Sequence, residues 1–125
     1  MSSEQTTFSA VLGVVLANLR REKGVEQGEM AQRMGVSQAS YSRLESGKSS
    51  FSVDQMFLAA IALGISGVEL TQRLNNTINS LQVNGVNVVA NLRGNTTQAR
   101  EEGSEVGSML IGATLGALLV GLLTK

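Results

Sequence analysis

Apolar residues recur at three- and four-residue steps through the first half of the chain, which is the pattern of amphipathic helices. The first run predicts a helix from about residue 8 that ends in basic residues, with Gly24 as a stop. Its apolar stripe consists of Phe8, Leu12, Val15, Leu16 and Leu19.

Two more short helices follow. The second fits Gln27–Met34 and is closed by Gly35, and Ser37 is a good N-cap for the third. In the third helix we expect Tyr41 and Leu44 to face inward.

The next two helices are marked by residues typical of capping boxes, in which a serine is followed three positions later by Gln or Glu. Ser52 with Gln55 opens a fourth helix over residues 53–63, and Ser66 with Glu69 opens a fifth that runs to about Leu74. The sequence therefore predicts five short helices in residues 8–72.

Residues 27–44 meet the physical requirements of a helix-turn-helix. Ala31 is small where the first helix crosses the second, and Gly35 tolerates the positive φ of the turn. Apolar anchors on both helices are Met30, Met34, Val36, Tyr41 and Leu44.

This stretch resembles the Cro/repressor (XRE) family of helix-turn-helix domains over residues 8 to about 72. The resemblance rests on Q-x3-A-x3-G-V-S-Q, from Gln27 to Gln38, followed by S-R-L-E-S-G-K, from Ser42 to Lys48. It implies a five-helix fold in which helix 3 is the recognition helix, and DNA as the partner.

The resemblance also implies roles for particular residues. Gln27 would contact a phosphate, Lys48 and the serines after it would meet the DNA backbone, and Arg20 would pair with Glu45 in a structural role. The residues that would face the groove are Ser37, Gln38, Ala39, Ser40 and Arg43. In chemical terms Gln38 can bond adenine bidentately and Arg43 guanine.

Charge departs from what DNA binding usually requires. Residues 1–72 carry six Lys/Arg and seven Asp/Glu, a net charge of −1, and Glu26 stands where the family prefers Thr or Ser. Because phosphate neutralisation supplies much of DNA affinity, a single domain would bind weakly and would need oligomers.

Residues 73–105 form an Asn/Thr-rich connector. Asn84-Gly85 between two alternating apolar runs predicts a β-hairpin at residues 80–89. The alternative is a continuing helix that uses Leu70, Leu74, Ile78 and Leu81, and later Val88, Val89 and Leu92.

Residues 106–125 form a hydrophobic, glycine-rich tail. Its 18 uncharged residues, Val106 to Leu123, would span about 27 Å as a helix, against a hydrocarbon thickness of about 30 Å. Two rows of small residues would allow close helix packing. They are Ser108, Gly112 and Gly116, and Ala113, Ala117 and Gly121. We expect a membrane-spanning helix, with a buried oligomerisation helix of a soluble assembly as the alternative.

Composition excludes several classes of chemistry. The chain has no Cys and no His, so it lacks disulfides, the usual zinc ligands and a histidine base. Neither a nucleophile–base pair nor a phosphate loop is present, and we expect no enzyme activity and no cofactor.

Two functions remain. The first is a membrane-anchored, oligomeric DNA-binding protein of the bacterial inner membrane that regulates transcription or tethers DNA, with residues 1–72 facing the cytoplasm. The second is a helix-turn-helix domain that binds a protein partner at the membrane, similar in outline to the RodZ type of cell-shape protein, with the tail driving assembly.

Overall fold

The computed structural model describes residues 4–91 and 109–123. Within these ranges the chain is mainly helical, with six helices and two short strands. In chain order they are β1 (Gln5–Thr7), α1 (Phe8–Glu22), α2 (Gln27–Met34), α3 (Gln38–Glu45), α4 (Val53–Leu63), α5 (Gly67–Val83), β2 (Asn87–Val89) and α6 (Gly112–Leu123).

The predicted capping serines begin α3, α4 and α5. Ser37 Oγ accepts a backbone N–H of the first turn of α3, and Ser66 Oγ does the same in α5, each at 3.0 Å. Ser52 and Gln55 form both halves of the capping box at the start of α4. Each serine satisfies an N–H group that a helix leaves unpaired, and these three helix starts are confirmed.

Helix α1 is the centre of the fold and contacts α3, α5 and α6. Its predicted stripe is buried from Leu12 to Leu19, whereas Phe8 at the first position is 45% exposed. A methyl group added to Gly13 would overlap the backbone of Glu45. Helix α1 therefore crosses α3 at a separation that only glycine allows.

The β-hairpin predicted at residues 80–89 is wrong. Helix α5 continues to Val83, and the N–H of Asn84 still donates to the Ser80 carbonyl oxygen at 3.2 Å. The alternative of a continuing helix is right as far as Val83, because Leu70, Ile78 and Leu81 are buried in the core. Asn84-Gly85 ends this helix. Packing on α1 stabilises α5, whereas an isolated two-stranded hairpin is only marginally stable.

The two strands pair in parallel, which the sequence did not indicate. Gln5, Thr6 and Thr7 lie opposite Asn87, Val88 and Val89. Gln5 also forms a single bridge with Met109, just before α6. The N-terminal strand is thus held between two segments that are distant in sequence.

The tail forms a shorter helix than predicted. Helix α6 covers 12 residues, about 18 Å, while residues 109–111 are not helical and residues 106–108 lie outside the described part of the chain. Leu115 and Leu119 on α6 are buried in the same core as α1–α5.

Among the described helices, none has by itself both the length and the hydropathy that a bilayer span requires. Helices α4 and α5, which are bent by 108° relative to each other, meet both requirements only when they are counted together, on length and composition alone.

Candidate nucleic-acid interface

Helices α2 and α3 form the predicted helix-turn-helix. Gly35 ends α2 with a φ of 78°, and the N–H of Val36 donates to the Ala31 carbonyl oxygen at 3.0 Å. Ala31, Met30 and Met34 are buried, so α2 is fixed on the core through one face. The turn then directs α3 outward.

Helix α3 buries one side and exposes the other. Tyr41 and Leu44 are buried as predicted, whereas Gln38, Ala39 and Arg43 are exposed. A methyl group on Gly28 would lie 3.3 Å from Gln38 Oε1, so this amide rests against the first turn of α2. The outward side of α3 thus carries an amide and a guanidinium of the kind that read base edges.

Ser37 and Ser40 are already engaged with each other. Ser37 Oγ accepts a hydrogen bond from the Ser40 N–H and donates one to Ser40 Oγ, each at 3.0 Å. These two serines hold the helix start, and only their remaining lone pairs and protons face solvent.

A buried polar network ties α3 to α1. Arg20 Nε donates to Glu45 Oε2 at 2.8 Å and Arg20 Nη2 donates to Oε1 at 3.1 Å. The third donor, Arg20 Nη1, bonds the Val25 carbonyl oxygen at 2.9 Å. This bidentate geometry fixes α3 against the end of α1.

Two more residues complete the network around Glu45, and the sequence reading missed both contacts. The Tyr41 hydroxyl donates to Glu45 Oε2 and Gln27 Nε2 donates to Oε1, each at 2.8 Å. For Tyr41 the available signal was its position four residues before Glu45 on the same helix, whereas Gln27 lies on α2, 18 residues before Glu45. One amide proton of Gln27 is therefore committed to Glu45.

The network shifts the pKa values of its members. Burial by itself would raise the pKa of Glu45, but hydrogen bonds from Arg20, Gln27 and Tyr41 hold it below its usual value. The hydrogen bond to Glu45 raises the pKa of Arg20, and burial raises that of Tyr41. The network is therefore a charged pair with neutral donors at neutral pH.

The predicted backbone-contacting residues lie at the two ends of the motif. Lys48 follows α3, is exposed, and anchors its own backbone by donating to the Arg43 carbonyl oxygen at 2.9 Å. Glu26 is the N-cap of α2, yet its side chain makes no capping hydrogen bond. Among the described residues, no ion pair involves Arg43 or Lys48.

A cavity of about 360 Å³ lies beside these residues, between the motif and α6. From the motif it is lined by Gln27 and by Ser42 and Ser46 at the end of α3, and from α1 by Arg21. The sequence did not predict this cavity, because α6 is distant in sequence from α3.

The predicted helix-packing residues of the tail separate into two groups. Gly112, Ala113 and Gly116 line the cavity, and Ala117 and Gly121 are exposed. Ser108 lies outside the described residues. A methyl group on Gly116 would meet no atom within 4 Å, so this glycine makes no close helix contact in the chain.

Comparison with known proteins agrees with this geometry. The family model described as Helix-turn-helix matches residues 16–70. An HTH-type transcriptional regulator of Sinorhizobium fredii (strain NBRC 101917 / NGR234), y4dJ, is 42% identical over 67 residues, which are 54% of this chain and 87% of that regulator. The chain belongs to the helix-turn-helix family of transcriptional regulators, of the XRE type.

Solved structures show the same fold. Two crystal structures of the clp gene regulator ClgR from Corynebacterium glutamicum match at 28% and 25% identity, with TM-scores of 0.54 and 0.56. The matches cover 57% and 78% of this chain and 92% of ClgR in both cases. The restriction-modification controller protein C.Esp1396I, at 21% identity and a TM-score of 0.56 over 58% of this chain and 94% of its own, shares the fold.

Proposed function

We propose that this protein binds duplex DNA through α3 and regulates transcription. The observation that carries the proposal is the outward side of α3, where Gln38 and Arg43 are exposed on a helix that the Arg20–Glu45 network holds in place. A helix presented in this way fits the major groove.

Base and phosphate contacts divide between the side chains. Gln38 reads adenine and Arg43 reads guanine, each contributing roughly 1–3 kcal/mol of discrimination. Ser37, Ala39 and Ser40 face the groove beside them. Lys48 and Gln27 contact the sugar–phosphate backbone and position the helix.

An oligomer is part of the proposal, because one near-neutral domain offers few phosphate contacts. Helix α4 supplies a surface for a second copy: Val53, Phe57 and Ile61 recur every four residues and are 48–72% exposed. A symmetric pair of these faces would bring two α3 helices to two half-sites.

The oligomer is tested by size-exclusion chromatography with light scattering. Ile61→Lys is expected to convert the dimer to a monomer, whereas Val83→Lys, an equally exposed valine at the end of α5, leaves it unchanged. A wild-type protein that is already monomeric at micromolar concentration contradicts this part of the proposal.

DNA binding is tested with the full chain. A duplex selected from a randomised library is titrated with wild type, Arg43→Ala and Arg73→Ala; Arg73 is a matched control because it pairs with Glu22 and Glu69 on another face. Arg43→Ala is expected to weaken binding about tenfold or more and to relax the preference at one base pair.

Salt dependence gives the second measurement. Lys48 is the cationic side chain assigned to a phosphate, so the expected slope of log K against log salt is about −1 per protomer. No enrichment of any sequence, together with no binding at low salt, overturns the DNA-binding proposal.

Membrane association at the inner membrane, with the motif in the cytoplasm, is a second candidate. What favours it is the uncharged stretch 106–123 and the exposure of Val120 on α6, which is 61%. Flotation of the full chain with vesicles that contain anionic lipids tests it. Val120→Asp is expected to abolish flotation, and a wild-type chain that stays at the bottom of the gradient contradicts it.

A further inference from the structure

Helix α6 stands against part of the surface that would read DNA. Successive residues of a helix are rotated by about 100°, so Ser42 lies between Gln38 and Arg43 on the outward side of α3, and Ser46 lies one turn further on. Both serines line the cavity whose opposite wall is α6. The C-terminal half of the outward side of α3 therefore faces α6 across a narrow space.

The side chains of the α6 wall are small and apolar. The wall consists of Gly112, Ala113, Gly116 and Val120, and α6 carries no charged side chain. A DNA strand that entered this space would gain no cation from the side chains of α6.

The opposite wall, in contrast, is suited to phosphate. Arg21 and Gln27 line it, and Ser42 and Ser46 bring hydroxyl groups. Glu45 also lines it, with its carboxylate held in the ion pair with Arg20. Cationic and amide donors of this kind position DNA backbones in most complexes. Helix α6 thus lies across donors that DNA would use.

Docking of α6 is specific, because its contacts involve particular residues of the core, of β1 and of the end of α3. Leu115 and Leu119 enter the core, and the Leu110 N–H donates to the Gln5 carbonyl oxygen at 2.7 Å. A methyl group on Gly112 would lie 3.0 Å from the Ser46 carbonyl oxygen, so α6 begins directly against the end of α3.

Helix α6 is poorly suited to be a permanent part of the domain. It has 12 residues, three of which are glycine, so its intrinsic helix stability is low. Helices α2 and α3 lie wholly within residues 16–70, which match the family, and α6 does not. Undocking of α6 leaves the packing of α3 on α1 and on α2 in place.

We propose that docked α6 is an autoinhibitory cover of the DNA-contacting face. The inference rests on the proposed DNA-binding function and adds its regulation. DNA backbone reaches Gln27, Ser42 and Ser46 only after α6 leaves, so DNA binding and α6 docking compete. Because such coupling is reciprocal, DNA must favour the undocked form of α6 as strongly as docked α6 weakens DNA binding.

Hydrogen exchange of the unmodified full chain tests this coupling. The probe is a duplex of mixed sequence at low salt, added to saturation. We expect slower exchange in α3 and faster exchange in residues 110–123. Unchanged or slower exchange in residues 110–123, with protection of α3, overturns the cover while leaving DNA binding intact.

A pair of neighbouring substitutions gives an independent measurement. Leu115→Ala removes a fully buried contact of α6, whereas Thr114→Ala changes an exposed residue of the same turn. Leu115→Ala is expected to raise affinity for the duplex roughly fivefold or more, and Thr114→Ala to leave it unchanged. A folded Leu115→Ala variant with wild-type affinity overturns the inference, and absence of binding by every form overturns the proposed function and the cover with it.

Discussion

Glu45 is the residue on which the orientation of the recognition helix depends. Its carboxylate accepts hydrogen bonds from Arg20, Gln27 and Tyr41, which come from three helices. Among the described residues, no buried side-chain polar atom lacks a partner, so the network is complete. A fully satisfied buried network favours one arrangement of the helices around it.

Glu45→Gln is expected to destabilise the fold by about 3 kcal/mol, because it leaves the buried Arg20 without a counter-charge. Glu29→Gln is the matched control, since Glu29 pairs with Arg33 on the surface and its loss costs less than about 1 kcal/mol. Urea unfolding followed by circular dichroism measures both. Equal effects of the two substitutions would contradict the structural role of Glu45.

The lowered pKa of Glu45 also predicts an acid sensitivity. The unfolded carboxyl titrates near its ordinary value of 4.5, above the folded one. At pH values between the folded and the unfolded pKa, the unfolded state binds more protons than the folded state. The stability that Glu45 contributes is therefore fully present above about pH 4.5 and is lost as pH falls through the folded pKa. The free energy of unfolding, measured by chemical denaturation at a series of pH values, is expected to fall less steeply with acid for Glu45→Gln than for wild type.

Glu26 is a position where substitution should improve the protein. Because Glu26 is an N-cap without a capping hydrogen bond, Glu26→Ser is expected to stabilise α2 by about 0.5–1 kcal/mol. It also removes a negative charge beside the proposed phosphate contact of Gln27, so DNA affinity should rise. Thermal unfolding and DNA titration measure the two effects, with Glu29→Ser inside α2 as a control that is expected to destabilise.

At the scale of elements, the sequence predicted what local signals determine. The capping serines, Gly35 and the apolar steps of α1–α4 are read within a few residues, and the observed helices follow them. The prediction of a hairpin at 80–89 was wrong because Asn84-Gly85 is compatible both with a hairpin turn and with the end of a helix. Packing of α5 on α1, which local sequence does not show, favours the helix. For the candidate site, the motif alone predicted Gln38 and Arg43 as exposed residues of α3. The cavity wall formed by α6 could not be predicted in this way, because it depends on contacts between segments that are distant in sequence.

Gly116 distinguishes the two readings of the tail. If α6 packed against another helix in a membrane through its row of glycines, a methyl group at position 116 would weaken the association of the two helices. In the docked helix that methyl group meets no atom, so Gly116→Ala is expected to stabilise the fold by about 0.5–1 kcal/mol through helix propensity. Chemical denaturation decides, and a clear loss of stability would indicate a close contact at Gly116.

For the whole molecule, Thr6 links the N-terminal strand to the tail. It is fully buried, and its hydroxyl donates to the Leu110 carbonyl oxygen. Thr6→Val keeps the shape but leaves that carbonyl unpaired, so we expect a loss of about 1–3 kcal/mol. Hydrogen exchange should locate the effect in residues 110–123, with Thr77→Val, on the exposed side of α5, as a control with little effect. A uniform increase across α1–α4 would contradict this assignment.

The parallel pairing of β1 has a consequence for synthesis. On the ribosome, β1 is made first and stays without a partner until Asn87–Val89 has been made. By then the residues of α1–α5 have been made, whereas those of α6 have not. The β1 strand therefore waits for its partner through the synthesis of all five helices, and completion of the sheet is a late step in the making of each molecule.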